Sequence, residues 1–265
     1  MATRKGNFIT GSIQNVVFKK RGNKQTMQSA PGKGGVKQTK ATKKVAIQFG
    51  KASSLGKHIR FMFREPIFGF YDGAMINRLN IELHAILRNS YRKEANFYQF
   101  SVDSFSKLQG FNFNIKSQLN QNFWLEPESS LTANLLKITL PELKIPEQLK
   151  FPENTISCEI TIATNFFCLS KGYIHKSAIL QILTINNDQF IPGKHEFDFA
   201  VPDGCLCIAT ISLKYFTRKY TSTLLFNNKE FNPAEICAAY VTPGTFAPQN
   251  ITDWDRVDNK FPEKK

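Results

Sequence analysis

The sequence predicts an α+β protein: a basic N-terminal β-hairpin and two helices, followed by an all-β sandwich of immunoglobulin-like or jelly-roll type. Three observations predict this class. The hydrophobic period changes after about Gly110, from the spacing of a helix to the alternation of a strand. Short strand candidates then follow one another, and turn residues separate many of them. Finally, the distribution of charge sets residues 1–64 apart from the rest of the chain.

The distribution of charged residues is the most informative feature of the sequence. Residues 1–64 carry 15 Lys and Arg and no acidic residue, and the first acid is Glu65. The remaining chain holds 20 basic and 21 acidic residues, so the whole formal charge of +14 belongs to the N-terminal block. Such a block attracts polyanions, either nucleic acid or an anionic membrane surface. A solubilising tail or an assembly arm is the alternative interpretation.

The hairpin is predicted over residues 12–29. Ile13 and the run Val16, Val17 and Phe18 are β-prone, and Gly22-Asn23 suits a tight turn with positive φ. The segment 24–29 would return as the second strand. Because an isolated hairpin is marginal in water, we expect it to pack on another element or to form on a partner.

Two helices are predicted after the hairpin. The first covers about 39–64, where one apolar stripe recurs at helical spacing: Val45, Phe49, Ala52, Gly56, Ile59 and Phe63. Lysines and arginines flank this stripe, and we expect it to pack on the body and present its charge to phosphates, because Ala52 and Gly56 allow close approach. A helix on a membrane surface and an ordinary surface helix are the alternatives. Pro66 ends this helix, and Asp72 is the predicted N-cap of a second one over about 73–93.

The all-β part begins with the alternation of Phe111, Phe113 and Ile115 with polar residues. Further strands are predicted at 130–140, 155–164, 173–185, 194–201, 205–216, 219–226 and 235–241. The chain therefore divides into a basic hairpin-plus-helices module (1–95), a linker (96–109), a β-sandwich domain (110–242) and an irregular C-terminal tail (243–265).

Catalytic and metal-binding patterns are missing from the sequence. There is no Cys-x-x-Cys, no His-x-x-x-His and no Gly-x-Ser-x-Gly. Cys205 and Cys207 lie on the same side of a predicted strand, where Cys158 or His195 could complete a metal site, but free cysteines are more often small buried hydrophobes. His84, beside the stripe of the second helix, is interpreted as a packed or surface residue. We therefore expect a non-enzymatic protein without catalytic residues, cofactor, metal or small-molecule substrate.

The expected location is the reducing cytoplasm. The first ten residues lack the apolar run of a signal peptide, and no stretch approaches the length of a spanning helix. The five cysteines, 158, 168, 205, 207 and 237, form an odd number without framework spacing, which argues against a disulfide scaffold.

Three N-terminal motifs carry a family resemblance. The run Gly11-Ser-Ile-Gln-Asn-Val-Val-Phe-Lys-Lys-Arg-Gly-Asn-Lys is followed by Gln28-Ser29-Ala30-Pro31 and by Phe49-Gly50-Lys51-Ala52-Ser53. The chain resembles a family of uncharacterised bacterial proteins that open with a Gly-x-x-x-Asn-Val-Val-Phe-x-Lys hairpin and a Ser-x-Pro. In that family a Phe-Gly-x-Ala-Ser helix and a β-rich half follow. The resemblance covers the first quarter of the chain and implies a two-part architecture without a mechanism.

The sequence thus favours binding over catalysis. The first hypothesis is a nucleic-acid-associated binding or architectural protein, with backbone-led contacts to RNA or DNA. The second is a structural or assembly subunit of a particle or appendage, whose basic N-terminal arm contacts neighbouring protein subunits. The residues predicted to contact phosphates are Lys19, Lys20, Arg21, Lys24, Lys33, Lys37, Lys40, Lys43, Lys44 and Lys51.

Overall fold

The computed structural model describes residues 2–32, 39–188 and 193–263. The chain forms two units, Met1–Ile47 and Gln48–Lys265. The division differs from the one expected near residue 95, and it lies inside the first helix. The reason is that the second half of this helix and the whole of the second helix share a core with the large β-sheet.

The N-terminal unit contains a four-stranded antiparallel meander in chain order. Its strands are β1 (Thr3–Lys5), β2 (Phe8–Ile13), β3 (Val16–Arg21) and β4 (Lys24–Ser29). The predicted hairpin is confirmed as β3 and β4, with Gly22 at φ +57° in the turn. The sequence did not predict β1 and β2, because two basic residues and a central glycine interrupt their apolar pattern.

Both predicted helices are present, as α1 (Lys40–Met62) and α2 (Met75–Ser90). Ala52, Ile59 and Phe63 of the predicted stripe are buried. Val45 and Phe49 are 55% and 48% exposed, so the buried stripe begins only at Ala52. Neither described helix combines the length and the apolarity needed to cross a membrane.

The predicted N-cap Asp72 is wrong, because α2 begins at Met75 and its N-cap is Ala74, which has no side-chain capping bond. Asp72 lies two residues before this cap. Its carboxylate accepts hydrogen bonds from the Ala74 N–H (2.7 Å) and the Ile115 N–H (3.2 Å), and it pairs with Arg78. Burial alone would raise the pKa of Asp72, but these donors outweigh it, and the pKa lies below its ordinary value. Arg78 also donates to the Asn112 carbonyl oxygen, so this ion pair joins the helix to the β part.

Thirteen described strands follow α2; β5 and β6 form a separate two-stranded sheet, and the others form the two antiparallel sheets of the sandwich. They are β5 (Tyr91–Arg92), β6 (Phe97–Tyr98), β7 (Phe111–Asn112), β8 (Glu128–Thr132), β9 (Leu135–Leu140), β10 (Thr155–Cys168), β11 (Tyr173–His175), β12 (Ile179–Asn186), β13 (His195–Ala200), β14 (Leu206–Lys219), β15 (Ser222–Leu225), β16 (Ala234–Val241) and β17 (Trp254–Arg256).

The large sheet has the order β17-β11-β10-β14-β16-β7, with β12 also paired to β10 and β15 to β14. A smaller sheet, β13-β9-β8, packs on one face of it, and α1 and α2 pack on the other. The central strands β10 and β14 are therefore buried on both faces, which explains their continuous apolar runs. The α+β class with a β-sandwich body is confirmed.

The C-terminal tail is mostly irregular but firmly held. Trp254–Arg256 pairs with β11, and the side chains of Phe246 and Phe261 are buried. The side chain of Asn259 donates to the Lys51 carbonyl oxygen at 3.1 Å. Aromatic burial therefore anchors a segment whose Pro, Asn and Asp content predicted only an irregular tail.

Candidate nucleic-acid interface

Three of the predicted phosphate-binding residues lie on one face of the N-terminal sheet. Lys19 and Arg21 alternate along β3, so their side chains point to the same side. Lys24 on β4 lies directly opposite Arg21 in the register. We call these three residues the basic face. Val17, Gln28 and Thr26 lie on the same side of β3 and β4, and Ser12 of β2 lies opposite Val17. All three basic residues are exposed.

The opposite side of the same sheet is apolar. Phe18 lies opposite Met27, and Val16 lies opposite Ile13. Met27 is 68% exposed and Ile13 is 52% exposed. We call Ile13, Val16, Phe18 and Met27 the apolar face. The sheet thus has one cationic and one apolar side, and no described residue of the N-terminal unit is buried.

Lys20 belongs to the apolar side and is engaged within the unit. Its ammonium group lies 4.4 Å from the centroid of the Phe8 ring. Gln25, its partner on β4, bonds the backbone of Ile9 twice, at 2.8 and 2.9 Å. The chain bends toward them at Gly11, whose φ of +111° only glycine adopts readily. Lys20 therefore does not share a surface with the basic face.

The basic face lacks internal neutralisation. Arg21 and Lys24 form a cross-strand pair of like charges, an arrangement that destabilises a sheet. Residues 1–64 hold no acidic side chain that could balance them. An anionic partner would relieve this repulsion, because its charge would replace the missing acids.

Lys40, Lys43 and Lys44 lie in the first turns of α1, three and four residues apart, and therefore on one side of the helix. The Thr39 hydroxyl caps this end by accepting the Thr42 N–H at 3.1 Å. Cations are unfavourable here, because the helix dipole is positive at its N-terminus. This end of the helix therefore also favours an anion nearby.

Lys51 has a different role. Its ammonium group donates to the Lys260 carbonyl oxygen at 3.0 Å and lies 5.0 Å from the Tyr98 ring and 5.4 Å from the Phe261 ring. Burial lowers the pKa of this amine. Lys51 thus holds the C-terminal segment, and we remove it from the predicted contacts. Lys33 and Lys37 lie outside the described residues.

The cysteines are packing residues. Cys158, Cys168, Cys205 and Cys207 are buried, and no described group of three or more His, Cys, Asp and Glu could hold a metal ion. Cys168 and Cys205 are adjacent, and the hydrogen bond with the Cys205 thiol lowers the pKa of Cys168 to about 6. The same contact raises the pKa of Cys205.

The C-terminal unit has a cleft of about 580 Å³, lined among others by His175, Asp203, Asp253 and Trp254. The Nδ1 atom of His175 lies 2.8 Å from the Ser177 carbonyl oxygen, so Nδ1 carries the proton. Within the described ranges, no hydrogen bond joins the side chains of His175, Asp203 and Asp253.

No protein-family model, no curated protein and no solved structure matches this chain. The proposed function therefore rests on the residues of this chain and their geometry.

In the sequence the basic residues form one block, and their composition alone does not show which of them share a surface. Alternation along β3 contained the signal that separates Lys19 and Arg21 from Lys20. The internal role of Lys51 had no local signal, because its acceptor is 209 residues away in the chain.

Proposed function

We propose that the protein is a non-enzymatic nucleic-acid-associated binding protein that contacts phosphates through its N-terminal unit. The observation that supports this most strongly is the basic face, where Lys19, Arg21 and Lys24 converge with no acid to neutralise them. Phosphate groups are strong acceptors for these donors. Lys40, Lys43 and Lys44 on α1 supply further cationic contacts.

The proposed binding is led by the nucleic-acid backbone. Phosphate contacts give affinity and position but carry no sequence information. The basic face offers Thr26, Val17 and Gln28 beside its cations and no aromatic side chain for base stacking. We therefore expect weak discrimination between sequences and a steep dependence on salt.

The test is a titration of labelled mixed-sequence DNA and RNA, duplex and single-stranded, across a salt series. The first variant carries Lys19→Gln, Arg21→Gln and Lys24→Gln. Each lost phosphate contact removes about 0.7 to 0.9 from the log–log salt slope, so this variant loses about 2 to 3 units. A second variant, Lys40→Gln, Lys43→Gln and Lys44→Gln, measures the contribution of α1 in the same way.

A matched control removes three exposed lysines of the C-terminal unit: Lys93→Gln, Lys107→Gln and Lys229→Gln. This control lowers the net charge by as much as the first variant does. Equal losses in the control and in the first variant would reduce the effect to net charge and contradict a defined interface. A deletion through residue 64 is unsuitable, because it removes the buried residues Ala52, Leu55 and Ile59 of α1.

A second candidate function rests on the apolar face. A sheet whose two sides are both exposed gains little hydrophobic stabilisation, and Ile13 and Met27 would gain it against a neighbouring protein subunit. This favours the assembly hypothesis. Met27→Glu would then abolish association with the subunit and leave the salt slope unchanged, whereas the basic-face variant would do the opposite.

A further inference from the structure

Two cysteines that take no part in the proposed binding lie side by side at one end of the large sheet. Cys168 is the last residue of β10, and Cys205 comes directly before β14. Phe167 lies opposite Leu206 in the antiparallel register, so the next pair along these strands is Cys168 and Cys205. Both side chains belong to the core between the large sheet and the smaller sheet, so they point to the same side.

The backbone hydrogen bonds show that this is a close pair. The N–H of Cys205 donates to the Thr242 hydroxyl at 2.9 Å, and its carbonyl oxygen accepts the Thr242 N–H at 2.8 Å. The carbonyl oxygen of Cys168 accepts the Gly172 N–H at 2.9 Å. Since these groups bond to other segments, the pair is of the non-hydrogen-bonded type, whose Cα atoms lie about 4.5 Å apart. This separation is within the range of about 4.4 to 6.8 Å that a disulfide requires.

The two thiols are in contact and differ in acidity. Their side chains are hydrogen-bonded to each other, and this bond lowers the pKa of Cys168 to about 6, against the opposing effect of burial. The backbone N–H of Lys171 acts in the same direction. The contact raises the pKa of Cys205. At neutral pH Cys168 is therefore the thiolate, which is the nucleophilic form, and Cys205 remains the thiol.

The register also singles out Cys205 as the partner of Cys168. Cys207 lies on the same side of β14 but is opposite Phe166, so it is a diagonal neighbour of Cys168 at about 7 to 8 Å. A disulfide does not span Cα atoms more than about 7 Å apart without movement of the backbone. Cys158 lies opposite Tyr215, near the other end of β10.

We propose that Cys168 and Cys205 form a redox modification site that hydrogen peroxide converts from a dithiol to a disulfide. The Cys168 thiolate attacks one oxygen of the peroxide, the O–O bond breaks, and the departing hydroxide takes up a proton to become water. Cys168 is then a sulfenic acid. The Cys205 sulfur attacks the Cys168 sulfur, the S–S bond forms as the S–O bond breaks, and the leaving hydroxide takes the Cys205 proton as a second water.

The electrons balance in both directions. The two sulfurs lose two electrons in total, and these reduce one peroxide to two waters. Two equivalents of a small-molecule thiol restore the dithiol by exchange and leave as their own disulfide. The site belongs to the C-terminal unit, so it does not depend on nucleic-acid binding by the N-terminal unit.

Access to the pair is through the end of the sheet. Cys168 and Cys205 are 1% and 0% exposed, but the exposed residues Lys171 and Asp203 are only three and two positions away in the chain. The hydroxyl of the half-buried Ser170 lies 3.7 Å from the Cys168 sulfur. A small oxidant therefore reaches the thiols by local opening of these end loops, without separation of the strands.

The first experiment maps the crosslink in the full chain. Protein is treated with hydrogen peroxide at neutral pH, unfolded, alkylated at its remaining thiols, digested with trypsin and analysed by mass spectrometry. Trypsin places Cys168 in the peptide 151–171 and Cys205 in the peptide 195–214. These two peptides should appear covalently linked, and dithiothreitol should separate them. Peroxide-treated protein that keeps its circular dichroism spectrum but never yields the linked pair would overturn the proposal.

Variants assign the sulfurs, because each of these peptides contains two cysteines. Cys168→Ala and Cys205→Ala should each abolish the link, and circular dichroism checks that both fold. The matched control is Cys207→Ala, which lies in the same peptide as Cys205 and should keep the link. A link that persists in Cys205→Ala, or that is lost in Cys207→Ala, would overturn the assigned pair.

Thermal unfolding tests whether the bond fits the folded sheet. A disulfide between two unstrained opposed positions restricts the unfolded chain, so peroxide-treated wild type should have a Tm higher by about 5 to 15 °C. Dithiothreitol should reverse this shift, and Cys205→Ala should show no peroxide-dependent increase. A lower Tm in the crosslinked wild type would show that the bond strains the sheet, and would overturn the close fit of the pair.

Discussion

The two units of the chain are built on opposite principles. In the C-terminal unit the central strands are covered on both faces, and residues such as Phe167 and Leu206 are fully enclosed. In the N-terminal unit the sheet has a cationic face and an apolar face, and no described residue is buried. The C-terminal unit is held together by burial of apolar surface, whereas the N-terminal unit leaves its apolar and charged groups exposed. The difference gives the C-terminal unit a buried core and leaves exposed surfaces on the N-terminal unit, on which the proposed binding rests.

The largest expected effect compares one aromatic core residue with one exposed apolar residue. Phe167→Ala should lower the free energy of unfolding by about 3 to 5 kcal/mol, because it leaves a cavity between α1, α2 and the sheet. Met27→Ala on the apolar face should change it by less than about 0.5 kcal/mol. Urea unfolding monitored by far-UV circular dichroism, which reports on the strands of both units, measures both. Similar losses in the two variants would mean that the N-terminal sheet is also part of a stable core.

A smaller effect concerns the ion pair that joins α2 to the β part. Asp72→Asn should cost about 2 to 3 kcal/mol, because it removes the charge from hydrogen bonds with Arg78 and two backbone N–H groups. The pKa of Asp72 is lowered in the folded state, so its stabilisation is present above the unfolded pKa of about 3.9 and is lost as the pH falls through the folded pKa.

Urea unfolding of wild type and Asp72→Asn between neutral pH and about pH 3 tests this sign, with the ordinary pKa of a carboxyl as reference. The difference between the two proteins should be constant near neutrality and shrink at the acid end. A difference that grew with acidification would contradict a lowered pKa.

The smallest effect compares two glycines of α1. A Cβ atom at Gly56 would lie 2.5 Å from Oδ1 of Asn80 and 3.2 Å from Cδ1 of Leu83, so Gly56→Ala should destabilise by about 1 to 2 kcal/mol. At Gly50 no atom lies within 4 Å, and Gly50→Ala should stabilise by about 0.5 to 1 kcal/mol through helix propensity. Thermal unfolding of the two variants measures opposite shifts. Shifts of the same sign would show that α1 is not closely packed at Gly56.

Sequence reasoning recovered the elements whose periodicity is strong. Both helices, the turn at Gly22 and most strands of the sandwich follow from spacing and turn residues. The segments 130–140 and 173–185, each predicted as one strand, are each two strands in the structure. The stripe of α1 also predicted close packing at Ala52 and Gly56, and Gly56 meets Asn80 and Leu83 of α2. Local pattern was sufficient from Ala52 onward, whereas Val45 and Phe49 of the same stripe are exposed.

The rest depends on contacts between distant residues. No local pattern shows that α1 packs on β10 and β14. Nor does any local pattern show that the Lys260 carbonyl oxygen accepts a hydrogen bond from the Lys51 ammonium group. The segment 173–185 was predicted as one strand, but only the sheet order shows that it divides into β11 and β12, which both pair with β10. The candidate site was predictable as a charged block, and its division into two faces required the register of β3 and β4.

The contact between Lys51 and the segment at Asn259 and Lys260 also has a consequence for the order of folding during synthesis. The pairings of the N-terminal sheet are all local and are complete by Ser29. The core beneath α1 includes Phe261, so it closes only after residue 261 has left the ribosome. A nascent chain can therefore present its cationic sheet to a polyanion while its body is still unfolded.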